Sequence, residues 1–104
     1  MADRQQRSDA AVQERTNAKK QEPVAYKVIL LNDDYTTMDF VVRVLESVFL
    51  KSPAEAYRVM MNVHQQGRGL AGVYPWELAE TKVDSVSLLA REAGFPLKAT
   101  IEEA

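Results

Sequence analysis

The 104-residue sequence predicts an α+β domain: a three-stranded antiparallel sheet with three helices packed on one face, in the order β-α-α-β-α-β. Three observations lead there. Short apolar runs over residues 26–31, 70–74 and 97–101 have the length and alternation of strands. Between them lie three stretches whose apolar residues recur at helical spacing, and the second and third of these open on proline and close on glycine. Three short strands cannot bury themselves, so the helices must layer on one face of the sheet.

The first strand covers residues 26–31. Tyr26, Val28 and Leu30 alternate with Lys27, Ile29 and Leu31, so both faces are largely apolar and the strand should be central or well covered. Thr36 with Asp39 three residues on resembles a capping pair, and Val41, Leu45 and Val48 then mark a helix over about residues 37–49. Ser52-Pro53-Ala54-Glu55 is a stronger start: the Ser52 hydroxyl can accept from the Glu55 amide, Pro53 suits the first helical position, and Glu55 can reach back. That second helix should run to Gly67. Residues 68–74 form the second strand, in which Gly69 and Gly72 permit bulging or close backbone approach. The third helix begins near Pro75 or Trp76, is marked by Ala79, Val83, Val86, Ala90 and Ala93, and stops at Gly94 ahead of Phe95-Pro96. Leu97, Ala99 and Ile101 then alternate with polar residues as a half-exposed last strand.

Residues 1–22 contain no aromatic residue and one β-branched aliphatic, Val12, among Gln, Arg, Lys, Asp and Glu. Such a segment cannot bury enough apolar surface to offset its ordering entropy. It reads as a disordered tail ending at Pro23, so the chain divides into a flexible extension over 1–24 and a domain over 25–104. Thirteen basic and fifteen acidic residues leave a formal charge of −2 with no basic stripe for a phosphate backbone, which argues against nucleic acid as a partner. No apolar run approaches the ~20 residues of a membrane span. The N-terminus lacks the apolar stretch of a secretory signal and there is no cysteine, so a soluble, cytoplasmic protein is expected.

The chemistry-bearing residues gather after the first strand, where Asn32-Asp33-Asp34-Tyr35-Thr36 puts carboxylates and a carboxamide at a strand-to-helix junction. Acceptors there can bind a cation or an ammonium group. On the second helix Tyr57, Met60, Met61 and the only histidine, His64, share one face. Two accounts of His64 stand at this point. It is either a partly buried histidine bonded to backbone among core methionines, or an acceptor facing Asn32 and Asp34. In the second case a carboxylate, an amide oxygen and a neutral imidazole nitrogen match the three N–H donors and single charge of an α-ammonium group. Met38, Val41, Met60, Val63 and Leu97 could wall an apolar pocket beside it, or simply pack the core. Other chemistries have less support. One histidine and no cysteine do not make a zinc site, and no cofactor is implied. No EF-hand spacing or nucleophile elbow is present, and the Gly67, Gly69, Gly72 match to a phosphate-binding pattern leads into a strand instead of a helix. An acid-base pair of Asp34 and His64 in a small hydrolase, and a plain protein-interaction domain of ribosomal-stalk type, remain as rivals.

At these residues the chain closely resembles the ClpS family, bacterial adaptors that bring N-degron substrates to the ClpA unfoldase of the ClpAP protease. The resemblance covers roughly residues 25–104 and rests on YKVILLNDDYT at 26–36, MMNVHQQG at 60–67, AETKV at 79–83 and the Pro96-Leu97 ending. It implies a non-enzymatic, monomeric adaptor in which Asn32, Asp34 and His64 bind the free α-amino group of a substrate beginning with Leu, Phe, Tyr or Trp. It assigns Leu30, Thr36, Met38, Val41, Met60, Val63 and Leu97 to the side-chain pocket or its rim, with Met38 as a gatekeeper against β-branched residues. Glu77 and Lys82 match positions that face the N-terminal domain of the ClpA-type AAA+ unfoldase, and the extension matches one used in handing substrate over. Thr37 departs from the family's frequent proline, and Pro75-Trp76 from its common capping Ser or Thr.

Overall fold

The computed structural model describes residues 24–104; the expected disordered extension over residues 1–22 lies outside them. The described chain runs β1 (Tyr26–Leu31), α1 (Met38–Ser47), α2 (Pro53–Gln66), β2 (Arg68–Tyr74), α3 (Trp76–Ala93) and β3 (Lys98–Glu103), the order the sequence predicts. The sheet is antiparallel throughout with strand order β2-β1-β3, so β1 is central. Its position accounts for its two apolar faces: Val28, Ile29 and Leu30 are all buried.

On the helix side of the sheet, Val28 pairs with Gly72 and Ile101, and Leu30 with Gly69 and Ala99. The partners of Leu30 are small, which leaves room for helices to approach. Between Val28 and Ile29 the register slips by one residue, so Ala71 has no partner on β1 and is itself fully buried. Gly69 is where α2 meets the sheet: a Cβ there would stand 2.7 Å from Val63 Cγ2 and 3.0 Å from the Val59 carbonyl oxygen. Glycine is therefore required by space at this position. The core closes between sheet and helices around Val28 and Leu30, Val44 and Leu45 of α1, Ala56 and Val59 of α2, and Ala79, Val86 and Ala90 of α3.

The helix ends follow local chemistry, with three corrections to expectation. Thr37, not Thr36, caps α1: its backbone is extended (φ −74°, ψ 152°) and its hydroxyl accepts from the Phe40 amide at 3.1 Å. The Thr36 hydroxyl is already committed, donating to Asp33 Oδ2 at 2.7 Å. The backbone angle at Thr37 is one that proline also adopts; threonine adds a cap that proline cannot supply. Helix α1 stops at Ser47, earlier than the spacing suggested, because Leu50 takes a left-handed φ of 57° and the Lys51 amide turns back to the Leu45 carbonyl. At α2 the Ser52 hydroxyl accepts from the Glu55 amide at 3.2 Å as expected, but the Glu55 carboxylate grips Arg58 instead of reaching back. Gly67 ends α2 in the left-handed region at φ 88°. Helix α3 starts at Trp76 after Pro75, without a side-chain cap, while the Trp76 ring meets Tyr26 edge-on at 5.1 Å.

Gly69→Ala tests the close approach of α2 to β2. Forcing a methyl against Val63 and a backbone oxygen is expected to destabilise the domain by about 1–3 kcal/mol, read as a lowered urea midpoint. The same substitution at Gly94, where a Cβ meets nothing within 4 Å, bears only on the left-handed backbone (φ 82°) and is the control.

Candidate functional site

The site begins with strand register. Leu31 pairs with Arg68, so the next residue on one side, Asn32, falls beside the preceding residue on the other, Gly67. The Asn32 amide donates to the Gly67 carbonyl at 3.0 Å, and the Gly67 amide donates to the Val63 carbonyl at 3.0 Å. These two bonds fix the exit of β1 against the last turn of α2, which carries His64. Two residues 32 positions apart in sequence are thereby brought to one rim.

Beyond Asn32 the loop is ordered by Asp33. Its Oδ1 accepts from the Tyr35 amide at 2.8 Å and the Thr36 amide at 2.7 Å, while Oδ2 accepts from the Thr36 hydroxyl. Burial pushes the Asp33 carboxyl up and is the largest single influence on it, but the bonds from the Thr36 hydroxyl and the Thr36 and Tyr35 amides together outweigh it. The group lies below its ordinary value of 3.8. Asp33 is thus occupied by its own loop. Asp34 is exposed, and among the described residues no intramolecular hydrogen bond or ion pair engages the side chains of Asn32, Asp34 or His64.

These residues edge a cavity of about 260 Å³. Asn32, Asp33, Asp34, Thr36 and His64 form its polar side, and Met38, Val41, Met60 and Val63 its apolar side. Val41, Met60 and Val63 are buried to 5%, 4% and 2% exposure and make the floor; Met38, 43% exposed, stands at the lip. His64 is exposed, so it is not the partly buried, backbone-bonded histidine of the first account. The volume sits below the roughly 300–1,000 Å³ of drug-sized pockets, a scale suited to one side chain. Three acceptors on a rim above an apolar floor can hold an ammonium group whose attached side chain points inward. Among the described residues no three His, Asp or Glu side chains gather as metal ligands do.

Of the residues singled out in the sequence, Asn32, Asp34, His64, Thr36, Met38, Val41, Met60 and Val63 meet around this cavity, whereas Leu30 and Leu97 do not line it. Both leucines are buried in the core cluster that also contains Val41, Met60 and Val63. Asp33 went without a role in the sequence; the signal was present, an acid three residues ahead of a threonine in a turn-forming run. Glu77 is exposed in the first turn of α3. Lys82 is half-buried: its Nζ donates to the Val48 carbonyl at 2.6 Å and lies 5.6 Å from the Tyr74 ring centre, so it caps the C-terminal end of α1.

The sequence model of the family described as "ATP-dependent Clp protease adaptor protein ClpS" matches residues 21–100. A ClpS adapter protein of Wolinella succinogenes is 58% identical over 82 residues, spanning 79% of this chain and 80% of its own length. That of Desulforapulum autotrophicum is 49% identical over 100 residues, 92% and 96% of the respective chains. Among solved structures, Agrobacterium tumefaciens ClpS2 bound to L-phenylalaninamide superposes with a TM-score of 0.77 at 46% identity, covering 80% of this chain and all of that one.

The hydrogen bonds at Asp33 predict a pH-dependent contribution to stability. Because its carboxyl is held below 3.8 in the folded chain, the stability it adds is complete above that value and is lost as pH falls through the lower folded one. Asp33→Asn, which cannot accept from the Thr36 hydroxyl through its amide nitrogen, should be less stable than the unaltered chain at pH 7. Urea unfolding at a series of pH values should show the gap closing below about pH 4; a gap that stays constant to pH 2 contradicts this role.

Proposed function

The chain belongs to the ClpS family of Clp protease adaptor proteins, and from that premise we propose that its rim and cavity capture the first residue of substrates beginning with Leu, Phe, Tyr or Trp. Members of the family are adaptors, not enzymes. In this reading Asn32, Asp34 and His64 accept the three N–H bonds of the α-ammonium group, and the first side chain enters between Met38, Val41, Met60 and Val63. Thr36 contributes to the rim. Leu30 and Leu97 act from the core, by backing the floor. The adaptor, a cytoplasmic monomer, then docks through the α3 face bearing Glu77 and Lys82 on the N-terminal domain of a ClpA-type unfoldase, with the extension over residues 1–24 taking part in hand-over.

One observation carries the proposal: three polar side chains left unengaged among the described residues share the mouth of an apolar-floored cavity sized for one side chain. The ligand of the structural relative, L-phenylalaninamide, combines the two groups such a site would need, a free α-amino group and an aromatic side chain. A guest that is apolar but uncharged would leave Asp34 facing no cation, and a charged guest without a side chain would leave the floor empty. Met38 narrows the entrance at the Cβ of the guest, where a β-branched residue is widest.

Acetylating the N-terminus of a Phe-initiated peptide removes the charge and two donors and is expected to weaken binding at least about tenfold, ~1.4 kcal/mol, by fluorescence anisotropy. Asp34→Ala and His64→Ala should each weaken binding of the free peptide, with His64→Gln, which keeps an acceptor, weakening it less. Unchanged binding in both alanine variants would sink the assignment. For docking, Glu77→Arg is the informative change because Lys82 also supports α1. It should slow degradation of a Phe-initiated substrate by the unfoldase and its protease while leaving peptide binding intact.

A further inference from the structure

The cavity has one wall that can give. Its floor of Val41, Met60 and Val63 is buried, and the loop at its polar rim is tied down by Asp33. Met38 is 43% exposed and is the first residue of α1. No helical turn precedes it, so the χ1 rotamer that such a turn forbids at interior helix positions is open to it. Its unbranched thioether side chain has three rotatable bonds.

On the far side of Met38 lies a groove of about 590 Å³ between α1 and α2. Met38 and Met60 line both spaces and so form the partition between them. Helical spacing sorts their neighbours. Val41, three residues on from Met38, lines the cavity, and Val42, four residues on, lines the groove. On α2, Val63 and His64 follow Met60 on the cavity side, while Tyr57 precedes it by three residues on the groove side. Met60 is 4% exposed in the interior of its helix, which leaves Met38 as the movable half of the partition.

We propose that Val42 and Tyr57, neither of which lines the cavity, set how large a first side chain it accepts. Leucine enters with Met38 in place. Tryptophan, the bulkiest of the first residues, displaces the Met38 thioether into the groove, where Val42 leaves room for it and the Tyr57 ring receives its sulfur. Sulfur over or beside an aromatic ring is a favourable contact. Tyr57 is 59% exposed, and among the described residues no aromatic or cation–π pair engages its ring. Asp39, Arg43 and Glu46 complete the lining of the groove, which is too charged for an apolar docking face. Val42 and Tyr57 are thus positioning residues that act through Met38. The inference rests on the reading of the cavity as the seat of the first side chain.

The test measures the full chain and its variants, by fluorescence anisotropy, against peptides that differ only in beginning with Leu or Trp. Val42→Phe, which fills the groove, should lower the Trp-to-Leu affinity ratio about threefold to tenfold, the scale of a side chain forced off its rotamer wells, with Leu binding held within about twofold. Tyr57→Ala, at an exposed position, should lower the same ratio about twofold to fivefold by removing the partner of the sulfur. Tyr57→Phe keeps the ring and should keep the ratio. In a Met38→Ala background neither Val42→Phe nor Tyr57→Ala should move it. A ratio unchanged by both substitutions overturns the inference, as does a fall of the same size when residue 38 is alanine, or a loss of Leu binding in step with Trp. An unaltered chain that binds neither peptide, or binds the acetylated forms as tightly as the free ones, instead overturns the ammonium reading beneath it.

Discussion

The hydrogen bond from the Asn32 amide to the Gly67 carbonyl joins the end of the central strand to the end of α2, and the geometry of the site depends on it. It exists because antiparallel register delivers Leu31 to Arg68, and because Gly67 turns left-handed so that α2 can end one residue before β2 begins. A residue with a Cβ is strained at that φ. The same short connection sets α2 directly over β2, which is possible only because Gly69 presents no side chain to Val59 and Val63. Two glycines two residues apart therefore do separate work: one turns the chain and the other admits the helix.

Within the acidic loop the fold divides labour between adjacent carboxylates. Asp33 accepts three hydrogen bonds from its own loop and behaves as a scaffold, with its charge stabilised internally. Asp34, next in sequence, has no such partners among the described residues and keeps its acceptors available. Spending one acid on the loop holds the other in position: a flexible loop bearing Asp34 would have to be ordered at each binding event, and that ordering costs conformational entropy. Thr36 and Thr37 are divided in the same way, one hydroxyl closing the loop and the next opening α1. The polar rim thus passes directly into the first turn of the helix whose Val41 forms part of the cavity floor.

Lys82 links the other side of the domain. Helix α1 has no basic residue in its last turn, and Lys82 reaches across from α3 to supply a cation at the Val48 carbonyl. The lysine proposed to face the unfoldase is also a tie between two helices, so substitutions at Lys82 act on packing as well as on the surface.

The sequence by itself determined the order of elements and most of their ends, because those depend on neighbours within four residues: the short apolar run of β1, Ser52-Pro53 before α2, Gly67 and Gly94 after α2 and α3. It also contained the polar residues of the rim as a recognisable cluster. Tertiary structure decided which of two adjacent threonines caps α1, since Asp33 competes for one of them, and it turned Leu30 and Leu97 into core instead of cavity lining. It brought His64 to Asn32 and Asp34 and sent Lys82 inward, neither of which any local pattern encodes. Such pairings span some thirty residues of chain and are set by register and helix packing, whose energies exist only once the strands have met.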